Sequence, residues 1–404
     1  MEFPSYPTTR IAVKLKPAAE KMVRQGHPWI FDKGIDKQNK AESAGDLAII
    51  FDRKKNQFLG VGLFDPASPI RIKMLHAGSS IVINQNFFKH RIKQAYQRRQ
   101  SLLQTKTNSY RLLFGENDGM PGLICDIYAH VLVLKIYSPI WLPYLKGLIS
   151  HLQEISQCTV GVLRLSRRVA AWKDWPENLK DGQTLFGTLA QETVVFLEHG
   201  LKFSAQVVKG HKTGYFLDHR HNRHRIGQLA KDKTVLDVFA YAGGFSVHAL
   251  MGGARQVLSI DISAQALKMA EANALLNNPE PALETWAIDA FLGMETLQKN
   301  KRVFDIVIID PPSFAKKAEE VDKALLSYQR LLNLAIPLVQ AGGILLSCSC
   351  SSRITKDQFF QLNQSVLQDS GRFFQLLEQS DHDIDHPISF PEGAYLKSLY
   401  YRLG

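Results

Sequence analysis

A chain of 404 residues that is 45% hydrophobic and 22% charged is ordinary for a soluble globular protein, and its length predicts two or three domains. No apolar stretch follows Met1, so no secretory signal is expected. Cys125, Cys158, Cys348 and Cys350 form neither a disulfide framework nor a C-x-x-C zinc pattern, which makes a reducing, cytoplasmic setting the expectation and leaves no metal site. The net charge of +11 is confined to residues 1–110, which hold 19 Lys and Arg against 8 Asp and Glu and leave 30 of each to the rest. A basic module joined to a neutral one points to a polyanion, and nucleic acid is favoured.

Residues 1–77 are expected to form a small β-rich domain that binds RNA. IAVKLK and IRIKML alternate apolar and basic residues as half-exposed strands do. LAIIFD and FLGVGLFD flank the turn RKKNQ as in a hairpin. Arg24, His27 and Trp29 bring a cation, an imidazole and an indole together, a group that can pair with or stack on a base. A Trp in so small a domain is more often core. Lys54 and Lys55 in the turn are further candidates for RNA contact. Residues 78–109 read as a connecting helix with a basic face. Residues 110–200 read as a small α/β middle domain, with turns at N-D-G and M-P-G and with Cys125 and Cys158 as buried, inert thiols.

The last domain is expected over 201–404. Lys212, Thr213, Gly214, Tyr215, Phe216 and Asp218 form a turn whose amides suit an anionic group and whose rings suit an adenine. Thr234–Asp261 then reads as strand, glycine turn (Tyr241 to Gly244), helix and strand, one βαβ unit. Its apolar window could pass for a membrane span, but it contains Asp237, His248 and several glycines. Asp261 follows Asp237 by 24 residues. An acidic residue meets a ribose hydroxyl in nucleotide-binding folds at a spacing of ~20. The turn is not G-x-G-x-x-G and there is no P-loop, so an adenosine cofactor smaller than a dinucleotide is favoured.

Further strands are expected to end at Asp289, at Asp310 and in SCSC, giving a parallel, doubly wound sheet. Ligands of such sheets bind beyond the carboxyl ends of the strands. Asp237, Asp261, Asp289, Asp310 and Cys350 all fall at or just past those ends, which points to a single site. Pro311 and Pro312 make a rigid corner that can hold Asp310 against the edge of a planar substrate. Cys350 is nearer its strand end than Cys348 and is the candidate thiolate; Cys348 is expected to pack in the sheet.

RQGHPWIF, GENDGMPGLICD, GHKTGYFLDHR, FAYAGGFSVHALMGGA, DPPSF, GGILLSCSCS and DHP with PEGAYLK together carry a resemblance. Over nearly its whole length the chain resembles the bacterial large-subunit ribosomal RNA cytosine-5 methyltransferase family. The resemblance implies a PUA barrel, a small α/β linker domain and a Rossmann-like class I domain. It implies S-adenosylmethionine held by the GHKTGYFLD segment, Tyr241, Gly243, Gly244, Asp261 and Asp289. Asp237, Phe239, Ile262, Ala290 and Asp310 are neighbouring candidates for that cofactor, and Pro312 for the RNA. Cys350 is implied as the nucleophile.

Carbon 5 of cytosine is a poor nucleophile, so a thiolate adding at carbon 6 is the expected activation, with Asp310 or a nearby carbonyl on the N3/N4 edge. Ser313 stands where relatives with two catalytic cysteines carry the second, so the chain looks like the single-cysteine branch. The expected partner is large-subunit rRNA or its precursor, with no membrane and with a homodimer left open. Two other readings stand beside this one. One is a base-nitrogen (guanine) rRNA methyltransferase, and the other a non-catalytic RNA-binding protein of ribosome assembly.

Overall fold

The computed structural model describes residues 6–404. They divide into two compact units, one of residues up to 197 with 205–217 and 384–390, the other of 198–204, 218–383 and 391–404.

In the first unit the alternation of IAVKLK becomes β1 (Arg10–Leu15), with Ile11, Val13 and Leu15 buried. There follow α1 (Pro17–Arg24), β2 (Trp29–Phe31), β3 (Ile35–Gln38), β4 (Leu47–Phe51), β5 (Phe58–Phe64) and β6 (Ile70–Ala77). They form one sheet in the order β2-β6-β5-β4-β1-β3, with β1 and β4 parallel and the other neighbours antiparallel. The expected hairpin is β4–β5. Asp52 organises its turn by accepting from the amides of Lys54 (2.9 Å), Lys55 (2.6 Å) and Gln57 (3.1 Å).

Asn84 caps the connecting helix α2 (Gln85–Leu103), its Oδ1 accepting from Phe87 N at 3.0 Å. Lys93 and Arg98 on it are exposed, but Arg99 turns inward, fully buried on Asp118. β7 (Ser109–Phe114), β8 (Leu123–Tyr128), β9 (Val131–Ile136), α3 (Leu145–Ser156), β10 (Val160–Leu165), α4 (Arg167–Ala170) and β11 (Thr184–Phe186) complete the middle region. Its sheet runs β11-β10-β9-β8-β7. One apolar cluster joins Leu63 and Leu75 of the first sheet, Phe88 of α2, and Cys125, Trp141, Leu148 and Cys158. The core therefore runs on past residues 77 and 109.

The division of the chain falls at a two-stranded sheet of β12 (Thr193–Glu198) and β13 (Leu201–Gln206). The second unit continues with α5 (Arg220–Leu229), β14 (Thr234–Val238), α6 (Gly244–Met251), β15 (Gln256–Asp261), α7 (Ala264–Leu275), β16 (Leu283–Ala287) and α8 (Ala290–Lys299). After these come β17 (Phe304–Ile309), α9 (Val321–Ala335), β18 (Val339–Ser349), α10 (Lys356–Asp369), β19 (Phe374–Ser380) and β20 (Lys397–Leu403). The sheet order is β16-β15-β14-β17-β18-β20-β19. The first five are parallel, as expected; β20 runs antiparallel to both β18 and β19.

The apolar runs of the central strands are buried on both faces. Leu236, Val238, Val307 and Ile309 pack with residues of α8, α9 and α10, while Val235, Ile306 and Ile308 pack with residues of α5 and α6. The winding reverses at β14, with β15 and β16 to one side and β17 and β18 to the other. In open α/β sheets ligands bind at such a switch point, beyond the carboxyl ends of the strands, which here are those of β14 and β17. Among the described residues no helix is long and apolar enough to cross a membrane.

Candidate active site

At the end of β14 the chain turns sharply into α6. Phe239 (φ 68°), Tyr241 (φ 48°) and Gly243 (φ 73°) are all left-handed, two of them against the preference of a residue with a Cβ. Such strain persists where surrounding bonds over-determine it. Here Ile260 O accepts from Phe239 N (2.8 Å) and Ala240 N (3.0 Å), and Asp261 Oδ2 accepts from Tyr241 N (2.9 Å). Gly243 is also required by packing, since a Cβ there would lie 2.7 Å from that of Ala270 in α7.

Asp237 is buried one residue before the end of β14, and its Oδ2 accepts from Ser246 N (3.2 Å) and Ser246 Oγ (2.6 Å). It thereby ties the strand to the first turn of α6. Its Oδ1 is buried with no hydrogen-bond partner. Burial, with Asp310 and Asp261 adding to it, pushes the carboxyl pKa up to about 7 against the pull of Ser246. Asp261 closes β15, and its Oδ1 accepts from Ser263 N at 2.8 Å. A carboxylate has about four lone-pair sites, so these two amide bonds leave acceptor capacity toward the turn. Beside it, Ile262 is 76% exposed, a large apolar side chain with no core to join.

Asp289 lies two residues past the end of β16, not at it. It caps α8, accepting from Phe291 N (3.0 Å) and Leu292 N (3.2 Å), with Ala290 buried behind it. Asp218 is buried and accepts from Tyr395 Oη at 2.8 Å.

Asp310 follows β17, its amide donating to Val238 O across the switch point at 3.3 Å. Pro312 beyond it is exposed. Cys350 follows β18, half-buried, its Sγ donating to Pro311 O at 3.5 Å. The two loops are stitched together: Ala315 O accepts from Ser313 Oγ (3.0 Å) and Ser351 Oγ (3.2 Å), and Tyr328 Oη donates to Ser349 Oγ (3.0 Å). Phe314 packs edge-on against Tyr328 at 5.0 Å. Lys397, paired with Ser349 in β20 and buried, donates from Nζ to Ser351 O and Ile354 O, closing the turn after Cys350. Burial pushes its pKa down to about 8, against the pull of Cys350.

Cys348 is fully buried in β18 and donates to Ser398 Oγ at 3.4 Å, as expected of a packed thiol. Burial, then Asp310, drives its pKa well up. Its Sγ lies within 4.8 Å of His219 Nε2 and an Asp310 oxygen. Both the imidazole and the carboxylate thus reach the buried sulfur from one side.

Lys212, Thr213, Tyr215 and Phe216 belong to the first unit. Lys212 is left-handed (φ 52°), with its ammonium 4.4 Å from the Phe216 ring centroid. Thr213 Oγ1 donates to Asp126 Oδ2 (2.6 Å), which is itself ion-paired with Arg111. Tyr215 N donates to Tyr128 Oη at 3.2 Å.

The first unit also holds the candidate RNA residues. Lys54 and Lys55 are exposed. Arg24 is exposed on Glu20 at 2.7 Å. Trp29 donates from Nε1 to Glu116 Oε1 (2.9 Å) and packs edge-on against Phe390 (5.0 Å). His27 Nδ1 faces the main chain of Trp29 at 3.2 Å. Trp29 is thus part of the packing, while the two lysines stand in solvent.

Reading the sequence did not single out His219, Asn222 or Lys397. The first two lie in a His- and Arg-rich run and the third in PEGAYLK, but a partner found only through folding has no local signature.

The fold, the left-handed turn, the Asp261 carboxylate and the unpartnered Asp237 oxygen together fit an adenosine-type cofactor. Residues 180–402 match the S-adenosylmethionine-dependent methyltransferase family, and residues 13–77 match the PUA-like domain. The chain is 38% identical over 409 residues to a ribosomal RNA large subunit methyltransferase of Deinococcus radiodurans, covering 100% of both. It is 35% identical to ribosomal RNA large subunit methyltransferase I of Salmonella gallinarum, covering 99% of this chain and 98% of that one. A solved Streptococcus mutans chain assigned to the SAM-dependent methyltransferases shares the fold at a TM-score of 0.81 and 20% identity, covering 97% of this chain and 99% of that one. Another, solved with SAH, gives 0.81 and 20%, covering 98% and 100%. The chain belongs to the S-adenosylmethionine-dependent methyltransferase family that joins a PUA-like domain to its catalytic domain and includes the ribosomal RNA large subunit methyltransferases.

Proposed function

We propose that this enzyme methylates carbon 5 of a cytosine in large-subunit ribosomal RNA or its precursor, acting in the cytoplasm. The observation that carries the reading is the half-buried Cys350 thiol against the Pro311 carbonyl, on the corner that holds Asp310. S-adenosylmethionine supplies an electrophilic methyl group when bound. Asp261 would hold the ribose hydroxyls, and Asp237 would act through the turn it braces. Tyr241, Gly243 and Gly244 would set the cofactor's approach, with Phe239, Ile262, Asp289 and Ala290 around the adenine. Asp218 and the segment Lys212–Phe216 are proposed as further cofactor contacts.

The Cys350 thiolate adds to carbon 6 of the base, and its lone pair forms the S–C6 bond. The ring electrons shift toward N3, which takes a proton, and carbon 5 becomes an enamine carbon able to attack a methyl group. Asp310 binds the N3/N4 edge and favours that protonated adduct. After methylation a base takes the carbon 5 proton, its bonding electrons re-form the C5–C6 double bond as the thiolate is expelled, and N3 gives back its proton. Pro312, exposed at the corner, is proposed to bear on the RNA strand. The basic residues of 1–77 and of the helix in 78–109, including Lys54, Lys55, Arg24 and His27, are proposed to hold the phosphates. The regions 1–77, 78–109, 110–200 and 201–404 are proposed as the functional divisions of the chain.

Fluorine at carbon 5 cannot leave as a cation. An rRNA transcript containing 5-fluorocytidine is therefore expected to form a cofactor-dependent covalent adduct with the enzyme. Cys350→Ala is expected to abolish adduct and turnover with cofactor affinity unchanged, and Cys348→Ala to trap normally. Near-normal methylation by Cys350→Ala would mean a structural thiol and favour base-nitrogen chemistry.

A further inference from the structure

His219 lies just before α5 and is buried, with its Nε2 3.2 Å from Asp310 Oδ1. The contact is close but not aligned as a hydrogen bond. On the other side of the ring, Nδ1 meets Asn222 Nδ2 at 3.1 Å. That amide is gripped in turn. Tyr400 Oη (2.9 Å) and Ser380 Oγ donate to Asn222 Oδ1, while Asn222 Nδ2 also reaches Ser398 Oγ at 3.1 Å. An amide nitrogen only donates, so in the neutral ring Nδ1 accepts and the proton sits on Nε2. In the charged ring Nε2 carries a proton as well. In either state a proton sits on Nε2, the ring nitrogen 3.2 Å from Asp310 Oδ1.

We infer that His219 is a positioning residue for Asp310, anchoring one carboxylate oxygen so that the other meets the N3/N4 edge of the target base. The inference rests on the carbon-5 reading and assigns a residue that reading leaves without work. Asn222, Ser380, Ser398 and Tyr400 form the scaffold that fixes the ring, and the Phe245 ring packs 5.4 Å from it. The charged and titratable groups facing it are Asp310, Asp218, Arg223 and the Cys348 thiol. Burial disfavours the imidazolium, but Asp310 and then Asp218 outweigh burial and Arg223 and hold its pKa above the usual value.

The test compares His219→Leu, which removes the donor, with His219→Gln, which keeps an N–H and cannot titrate. The probe is single-turnover methylation of a transcript of the large-subunit rRNA, with adduct formation measured on its 5-fluorocytidine form. Loss of a group that supports a reacting side chain costs roughly 10–100-fold. His219→Leu is expected to lose rate in that range with cofactor affinity within about twofold, and His219→Gln to recover most of it. The loss is expected in the rate at saturating RNA, with RNA affinity within about twofold, because His219 orients a reacting side chain and holds no strand itself. Equal rates for Leu, Gln and wild type, or a loss that appears only as weaker RNA binding, would overturn the inference while adduct formation by wild type leaves the carbon-5 reading standing. A wild-type enzyme that forms no adduct overturns both. Should His219→Leu not fold, His219→Asn, whose shorter amide leaves Asp310 without a donor, decides: a wild-type rate at saturating RNA overturns the inference.

Discussion

Asp237 shows how one buried carboxyl couples the turn between β14 and α6 to pH. The folded group holds its proton to about pH 7, whereas an unfolded Asp gives it up near 3.8. Between these values the folded state binds the extra proton. Stability therefore falls as pH rises from 3.8 to 7 and levels off above. Asp237→Asn keeps an oxygen for Ser246 and cannot ionise. Its melting temperature relative to wild type is expected to climb from pH 4 to pH 7 and then stay level. A difference independent of pH would mean that Asp237 is already ionised in the fold at low pH.

At the scale of elements, α6 is held from behind by an ion-pair group on the second unit. Glu198 at the end of β12 is fully buried, bound by Arg223 of α5 through Nε (2.7 Å) and Nη2 (2.6 Å) and by His248 Nε2 of α6 at 3.0 Å. Burial would raise its pKa, but Arg223 and His248 outweigh burial and hold it well below the usual carboxylate range. Removing one partner of a buried pair leaves the other charge unmatched. Glu198→Gln is expected to cost roughly 3–5 kcal/mol, read as a lower urea midpoint at pH 7. A loss below about 1 kcal/mol, the value of a surface pair, would show that solvent reaches Arg223 in the fold. This group ties α5 and α6 to the end of β12 through Arg223 and His248.

At the scale of the whole molecule, the excess charge lies in the segment that also carries the PUA-like domain. Cutting the chain near residue 110 would not isolate that segment, because Leu63, Leu75 and Phe88 share a core with Trp141 and Leu148. Charge removal in the intact protein is the sounder test. Each phosphate contact adds ~0.7–0.9 to the slope of log affinity against log salt. Lys54→Ala with Lys55→Ala is expected to weaken RNA binding and lower that slope by roughly 1.4–1.8, with cofactor affinity unchanged. An unaltered slope would place the RNA on another face.

Strand and turn periodicity are local, and the sequence by itself determined what depends on them. QVLSID ends at Asp261 as β15, Ser263 caps α7, and FDIVII is a strand followed by Asp310. Two-sided burial leaves short apolar runs bounded by turns and closed by carboxylates, so the parallel sheet and most of the strand ends were legible. β19 and β20 were not. They form the antiparallel edge of the sheet, where one strand alternates about half-buried and exposed residues and the other reads as a tail. Partners distant in the chain were hidden as well. Trp29 meets Phe390, His219 meets Asp310, and Lys397 closes the turn after Cys350, each through elements brought together only when sheets form and cores close. A residue type and its spacing report what a segment buries; which atom it faces is decided by strand register and helix packing, and those are properties of the tertiary structure alone.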